Sequence, residues 1–267
     1  MLSKIVDTLG LVPKDDPKDL GFDSFTMAGA AGTINAYEGP GAPNVAWCSG
    51  LQMKGPELAR ASITTFVGPL TDVPHLVAMA GISDGGIDLY IDFRARAECG
   101  YDPSCATLAE YPDPETREAF AESSNRKDFA SAFYTEEVAA ARAALLALPG
   151  ATPAPVTKEQ VNTISAGPLL VDVRLPLDEA SAAAAAAACT DACERWLSWM
   201  LTAEDNKRGL PAGMRQTATY TRDTKVRQQH FGFLLSKYTP IFGPGEGKEL
   251  TAADAGPLDE AYVGGGS

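Results

Sequence analysis

One stretch constrains this chain more than any other: Asp72-Val-Pro-His-Leu-Val-Ala-Met-Ala-Gly-Ile-Ser-Asp-Gly-Gly-Ile-Asp-Leu-Tyr-Ile-Asp-Phe93. Two apolar runs, 76–82 and 87–93, flank Ser83-Asp84-Gly85-Gly86. Asp-Gly and Gly-Gly supply the positive φ values that tight hairpin turns need, so the stretch predicts a β-hairpin. Side chains alternate between the faces of a strand. His75, Val77, Met79 and Gly81 therefore share one face of the first strand, and Leu76, Ala78, Ala80 and Ile82 the other. In the second strand Ile87, Leu89, Ile91 and Phe93 form an apolar face, and Asp88, Tyr90 and Asp92 a polar one. Those two carboxylates either face water or line the polar half of a pocket. A hairpin of this kind is not stable alone; it demands more sheet and a covering layer of helices.

The rest of the chain supplies both. Segments 33–37, 45–53 and 62–67 carry β-branched and aromatic residues between Gly and Pro punctuation, which predicts an antiparallel meander leading into the hairpin. A short amphipathic piece at 2–9 precedes it. The polar stretch 94–128 reads as a long connection with a helical piece near 115–123. Thr135 caps a helix over 135–148, with Glu136 and Glu137 in its first turn and Pro149-Gly150 ending it. A strand is expected within 162–175. The longest helix is expected at 178–203, where the run 182–188 is all alanine. A last strong helix is expected at 219–238, ending near Pro240. The order predicts an α/β protein: an α/β/α sandwich whose central, mostly antiparallel sheet is flanked by helices. Residues 1–243 form a single domain in this reading, and 244–267 a weakly ordered acidic and Gly-rich tail.

With 267 residues the chain has ample material for one core. Its net charge of −13 excludes the broad basic face that nucleic acid binding requires. No apolar run approaches the ~20 residues of a membrane-spanning helix, and no secretory leader is visible. The five cysteines, Cys48, Cys99, Cys105, Cys189 and Cys193, match no paired zinc spacing and suggest a reducing compartment. Cys189 and Cys193 lie four apart on one helix face, which suits small packing residues.

The sequence has no Gly-rich phosphate loop and no HExxH. It has only two histidines. His75 starts the hairpin on the Met79 face, as a satisfied structural group or a catalytic one. Asp223, Arg227, His230 and Leu234 recur at helical spacing and share one face of the last helix. A carboxylate, a guanidinium and an imidazole so aligned can hold an anionic ligand and deliver a proton. An exposed salt-bridged stripe is the ordinary alternative.

The hairpin resembles the central hairpin of the ferredoxin-dependent bilin reductases and of their relative, red chlorophyll catabolite reductase. The segment Tyr220-Thr-Arg-Asp-Thr-Lys-Val-Arg227, running on to Phe242-Gly243, is similar to that superfamily's C-terminal helix. Cys193-Glu-Arg-Trp-Leu197 is similar to the helix before it in the catabolite reductase. The resemblance is collinear from about Gly41 to Gly243. It implies the sandwich fold, with an open-chain tetrapyrrole between the sheet and the C-terminal helices. It implies no bound cofactor or metal, electrons delivered singly by reduced ferredoxin, and protons from side chains and water. It implies a plastid stroma setting if the source is a photosynthetic eukaryote, and the cytoplasm otherwise. Asp223 matches the superfamily's C-terminal carboxylate, as proton donor or pigment anchor. Arg94 and Arg96 fall where propionate contacts are placed, and arginine meets a carboxylate with two parallel donors. The superfamily's usual acid on the first hairpin strand is Met79 here. Methionine packs softly against a flat ring but transfers no proton. Proton delivery then falls to His75, Asp223 or His230, with Met79, Arg94, Arg96 and Arg227 as substrate contacts. The implied activity is reduction of a bilin or red chlorophyll catabolite; the alternative is a bilin-binding protein without redox chemistry. The acidic ferredoxin partner requires a locally basic patch, for which Lys207, Arg208, Arg215, Arg222, Lys225 and Arg227 are the candidates.

Overall fold

A computed structural model describes residues 1–14, 24–39, 45–56, 58–68, 71, 73–94, 132–154, 166–202, 216–256 and 258. The strands are β1 (Val12–Pro13), β2 (Phe25–Met27), β3 (Ala30–Gly39), β4 (Val45–Lys54), β5 (Ala59–Val67), β6 (His75–Ser83), β7 (Gly86–Arg94), β8 (Thr152–Pro153) and β9 (Val171–Pro176). The helices are α1 (Leu2–Leu9), α2 (Glu136–Leu146), α3 (Glu179–Leu201), α4 (Gln216–Phe242) and α5 (Pro244–Ala255). The strands form one sheet in the order β1-β3-β4-β5-β6-β7-β9-β8, with β2 also on β3. Every pairing among the described strands is antiparallel.

The hairpin is as its turn chemistry requires. Ser83 pairs with Gly86, and the two residues between them, Asp84 and Gly85, have φ of 46° and 72°. That left-handed pair matches the right-handed twist of the flanking strands. The register sets Leu76 opposite Phe93, Ala78 opposite Ile91 and Ala80 opposite Leu89. Most of these side chains are buried with Trp196, Leu197 and Met200 of α3 and Val171, Val173 and Leu175 of β9. Trp196 also donates from Nε1 to the Pro74 carbonyl at 2.9 Å, fixing α3 to the start of the hairpin. On the opposite face Val77, Met79 and Tyr90 are buried with Leu234, Tyr238 and Phe242 of α4 and Leu250 and Ala253 of α5. The architecture is thus the expected sandwich, with the sheet between α3 and the α4–α5 pair. Thr135 Oγ1 caps α2 by accepting from Val138, and Asp178 caps α3 by accepting from Ser181 at 2.7 Å.

Three expectations need correction. The longest helix is α4, with 27 residues, not α3 with 23. It runs through Pro240, which sits in its last turn, and ends at Gly243, whose φ is 80°. Pro244 then occupies the first turn of α5, where its missing N–H costs nothing. The chain beyond 243 is also not weakly ordered as far as residue 256. Its polar, Gly-rich composition hides a helix that buries Leu250, Thr251, Ala253 and Asp254. Finally, of the strand expected within 162–175, β9 supplies the part from Val171 onward and 166–170 form its approach, while 162–165 lie outside the described residues. Residue 257, residues 259–267 and the 95–131 connection lie outside the described residues.

Candidate active site

Sheet register arranges the α4–α5 face as a grid. Ser62, Met79, Tyr90 and Asp172 lie in one row across β5, β6, β7 and β9. Thr64, Val77 and Asp92 form the next row, and His75 and Arg94 the one beyond. Arg60, Gly81, Asp88 and Arg174 form the row on the other side. Much of this face is polar, although helices cover it. His75, Asp92 and Arg94 have no exposed surface. Burying such groups is costly unless each is paired, so their placement is the signal of a site.

The α4 stripe predicted from helical spacing lies directly over the third row. Asp223 and His230 are buried, not an exposed stripe. Oδ1 of Asp223 is 3.3 Å from Nε2 of His75. Nδ1 of His75 accepts the Val67 N–H at 3.1 Å. A neutral imidazole with Nδ1 as acceptor must carry its proton on Nε2, the atom facing Asp223.

His230 is held by a different chain of contacts. Gly167 N–H donates to Asp92 Oδ1 at 2.8 Å, and Tyr90 Oη donates to Asp92 Oδ2 at 3.1 Å. Arg94 Nη2 donates to Tyr90 Oη at 3.0 Å and lies 3.1 Å from Nδ1 of His230. A guanidinium only donates, so Nδ1 accepts and the His230 proton sits on Nε2. That Nε2 is buried and has no hydrogen-bond partner among the described residues. Burial first, then the positive charge of Arg94 and the proximity of His75 and Arg227, hold His230 well below its ordinary pKa. It is therefore a neutral N–H donor rather than a source of an imidazolium proton. The Arg227 guanidinium lies 5.4 Å from the Phe66 ring centroid, and Phe66 also packs against His75 and His230.

A second buried polar cluster adjoins the Met79 row. Asp254 of α5 accepts from Tyr238 Oη at 2.7 Å and from Ser62 and Thr64 at 3.3 Å. Its backbone carbonyl accepts from Ser49 and Trp47. Arg60 stacks 5.2 Å from the Tyr238 ring centroid. Burial raises the pKa of Asp254 and drives that of Tyr238 well above its ordinary value. None of these residues was singled out from sequence. The Ser62-Ile63-Thr64 alternation was the available clue, since it sets two hydroxyls on one face of a strand.

Met79 is buried among Val77, Tyr90, Leu234 and Tyr238. Arg94 is committed inward, to Tyr90 and His230. Arg96, Lys207, Arg208 and Arg215 lie outside the described residues, as do the side chains of Arg222 and Lys225. Cys48, Cys189 and Cys193 belong to the α3 side of the core, where burial pushes each thiol up to about 12. A cleft of about 830 Å³ opens on that same side, between the β3–β6 surface and Ala182, Ala185 and Ala186 of α3. Its walls are mostly apolar, Arg60 and Ser62 of the Asp254 cluster also border it, and the His75, Asp223, His230 and Asp92 network lies on the opposite face. No helix among the described residues is long and apolar enough to cross a membrane.

No protein-family model and no curated protein sequence matches the chain. Among solved structures, phytochromobilin synthase from tomato, in complex with biliverdin, matches with a TM-score of 0.65. The match covers 97% of this chain and 82% of that one, at 11% sequence identity. At such identity the likeness is one of fold: this chain shares the fold of that synthase.

Proposed function

We propose that this chain binds a linear tetrapyrrole, a bilin or a red chlorophyll catabolite, against the polar face of the sheet beneath α4. It reduces one double bond with two electrons, taken singly from reduced ferredoxin, and two protons. The observation that carries this reading is the meeting of Asp223 and His75 at 3.3 Å, on a helix-covered sheet face. The fold is shared with a synthase solved with biliverdin, which supports the same class of ligand.

The residues divide the work as follows. Asp223 anchors the pyrrole N–H groups, which need an acceptor when removed from water. His230 offers its buried Nε2–H to a ligand carbonyl. Arg94 fixes the tautomer of His230. Arg227 and Arg96 hold the propionates, and Met79 packs against the conjugated plane.

The test is an anaerobic titration with biliverdin and with an open-chain chlorophyll catabolite, followed by a ferredoxin-reducing system. A red-shifted complex whose absorbance then changes supports reduction. Absence of any visible complex at stoichiometric protein defeats the proposal. Met79 favours a second reading, a pigment-binding protein without redox chemistry, which predicts a stable complex whose spectrum is indifferent to reduced ferredoxin.

A further inference from the structure

Reduction of a pigment on this face needs an acid that can give up a proton and recover it; burial holds His230 neutral, and most carboxylates there are engaged. Asp92 accepts from Gly167 and Tyr90 and lies beside Arg94. Asp254 is enclosed by Tyr238, Ser62 and Thr64 with no exposed surface. Asp88 accepts from Ser83 and from Arg174 at 2.7 Å. Asp223 faces His75. Asp172 of β9 differs from all of these. Among the described residues its carboxylate accepts no hydrogen bond and forms no ion pair.

Its position fits the need. Asp172 is directly opposite Tyr90, which is directly opposite Met79. Neighbouring strands are ~4.8 Å apart, so its backbone is about 10 Å from that of Met79 along the same row. A planar ligand lying over Met79 and Tyr90, in place of the α4 side chains that cover them in this structure, reaches that far. Asp172 is also half-buried, not sealed, so water can restore a proton that it has given away.

We propose that Asp172 is the general acid of this site, protonating the tetrapyrrole after it accepts an electron. The inference rests on the tetrapyrrole reading above. In the step, an iron–sulfur protein gives one electron to the conjugated system. The resulting radical anion takes the proton from the Asp172 carboxyl, forming a C–H or N–H bond and leaving a carboxylate. Solvent reprotonates the carboxylate, and a second electron and proton complete the reduction.

The charges around Asp172 suit the role. Burial raises its pKa to about 6, with Asp88 and Asp92 of β7 adding to the rise and Lys237 of α4 opposing it. Arg174, on the same face of β9, is turned to Asp88, Ser83 and Asp84. Arg142 of α2 donates to the Leu170 carbonyl.

The experiment compares the parent with Asp172→Asn and Asp172→Glu. Biliverdin binding is titrated first, and anaerobic single-turnover reduction by reduced ferredoxin is then followed across pH. The asparagine variant is expected to bind biliverdin like the parent. Its reduction should slow about 100-fold with a pigment radical accumulating, the usual scale for loss of a general acid. Glutamate should recover much of the rate. The parental rate should fall as pH rises through about 6, and the asparagine variant should lose that dependence. Reduction by Asp172→Asn at the parental rate overturns the role of Asp172 and leaves the function intact. A parent that binds biliverdin without reducing it also overturns the role, while keeping the site as a pigment pocket. A parent that binds no pigment overturns the tetrapyrrole reading, and this role falls with it.

Discussion

His75 Nε2 and Asp223 Oδ1 lie 3.3 Å apart, joining the first strand of the central hairpin to α4 across 148 positions of sequence, 223 minus 75. Because the Val67 N–H occupies Nδ1, His75 can gain a second proton only by giving up that bond. The pair therefore presents one acceptor carboxylate to a ligand, held in place by an imidazole whose tautomer is set. Asp223→Asn keeps the shape and removes the charge. It should weaken biliverdin binding and slow reduction by about 10²-fold, on the scale of one lost charge-assisted contact in a site. Spectral titration and anaerobic turnover check both. Reduction as fast as the parent's would remove Asp223 from the site.

Asp254 fastens the C-terminal helix to the sheet. Removing its carboxylate leaves the hydroxyls of Ser62, Thr64 and Tyr238 buried without their acceptor. Asp254→Ala should lower stability by about 2–4 kcal/mol, since orphaned buried donors cost about 1–3 kcal/mol each and partly relax. Urea unfolding at constant m-value measures the loss. Termination after Gly243 should be more damaging, because Leu250 and Ala253 leave the core as well.

The pH dependence of folding carries the signature of His230. Its folded pKa lies well below the ordinary 6.5, so the unfolded chain binds the proton more readily. Stability from a neutral buried His230 is therefore fully present above about 6.5 and is lost as pH falls toward the folded value. His230→Gln keeps a neutral side chain with a donor and an acceptor. Its chemical unfolding between pH 7 and pH 5 should show a shallower fall than the parent's. Identical slopes would mean that His230 takes up its proton as readily in the folded chain as in the unfolded one.

Much of the hairpin was legible because its two determinants are local. The Asp84-Gly85 turn sets the loop, and alternation sets the faces. Asp223, Arg227 and His230 were legible as a stripe for the same reason, helical spacing. What they meet was not. The pairing of Asp223 with His75, and of His230 with Arg94, depends on where α4 crosses the sheet, which no short window encodes. Asp254 was missed because its surroundings in sequence are Gly-rich and polar, and its partners lie on β4, β5 and α4. Asp172 was missed because Val171 and Val173 explain the strand without it.

Met79 gives a direct test of how protons reach this face. It is buried, so Met79→Asp should lower the melting temperature of the unliganded protein, as expected for a carboxylate set among apolar side chains. The same substitution puts a carboxyl on the row that holds Tyr90 and Asp172. It should raise the rate of pigment reduction, and it should restore reduction to the Asp172→Asn variant. Anaerobic turnover of the double variant decides the matter. No recovery there would show that the Met79 position does not reach the reacting atoms.

Asp172 also makes a prediction that needs no pigment. Its folded pKa is raised from 3.8 to about 6, so between those values the folded chain holds a proton that the unfolded chain has lost. Stability from this group falls as pH rises through that window, and above it the folded state carries the full penalty of a half-buried, unpaired carboxylate. Asparagine has no such penalty. Asp172→Asn should therefore be more stable than the parent at pH 8, by about 1–2 kcal/mol once the side chain's partial exposure is allowed for, and nearly equal to it below pH 4. Thermal or urea unfolding at the two pH values measures the difference. An unchanged gap between parent and variant across that range would mean that the carboxylate is ionised at no cost, and that it is not poised to act as an acid.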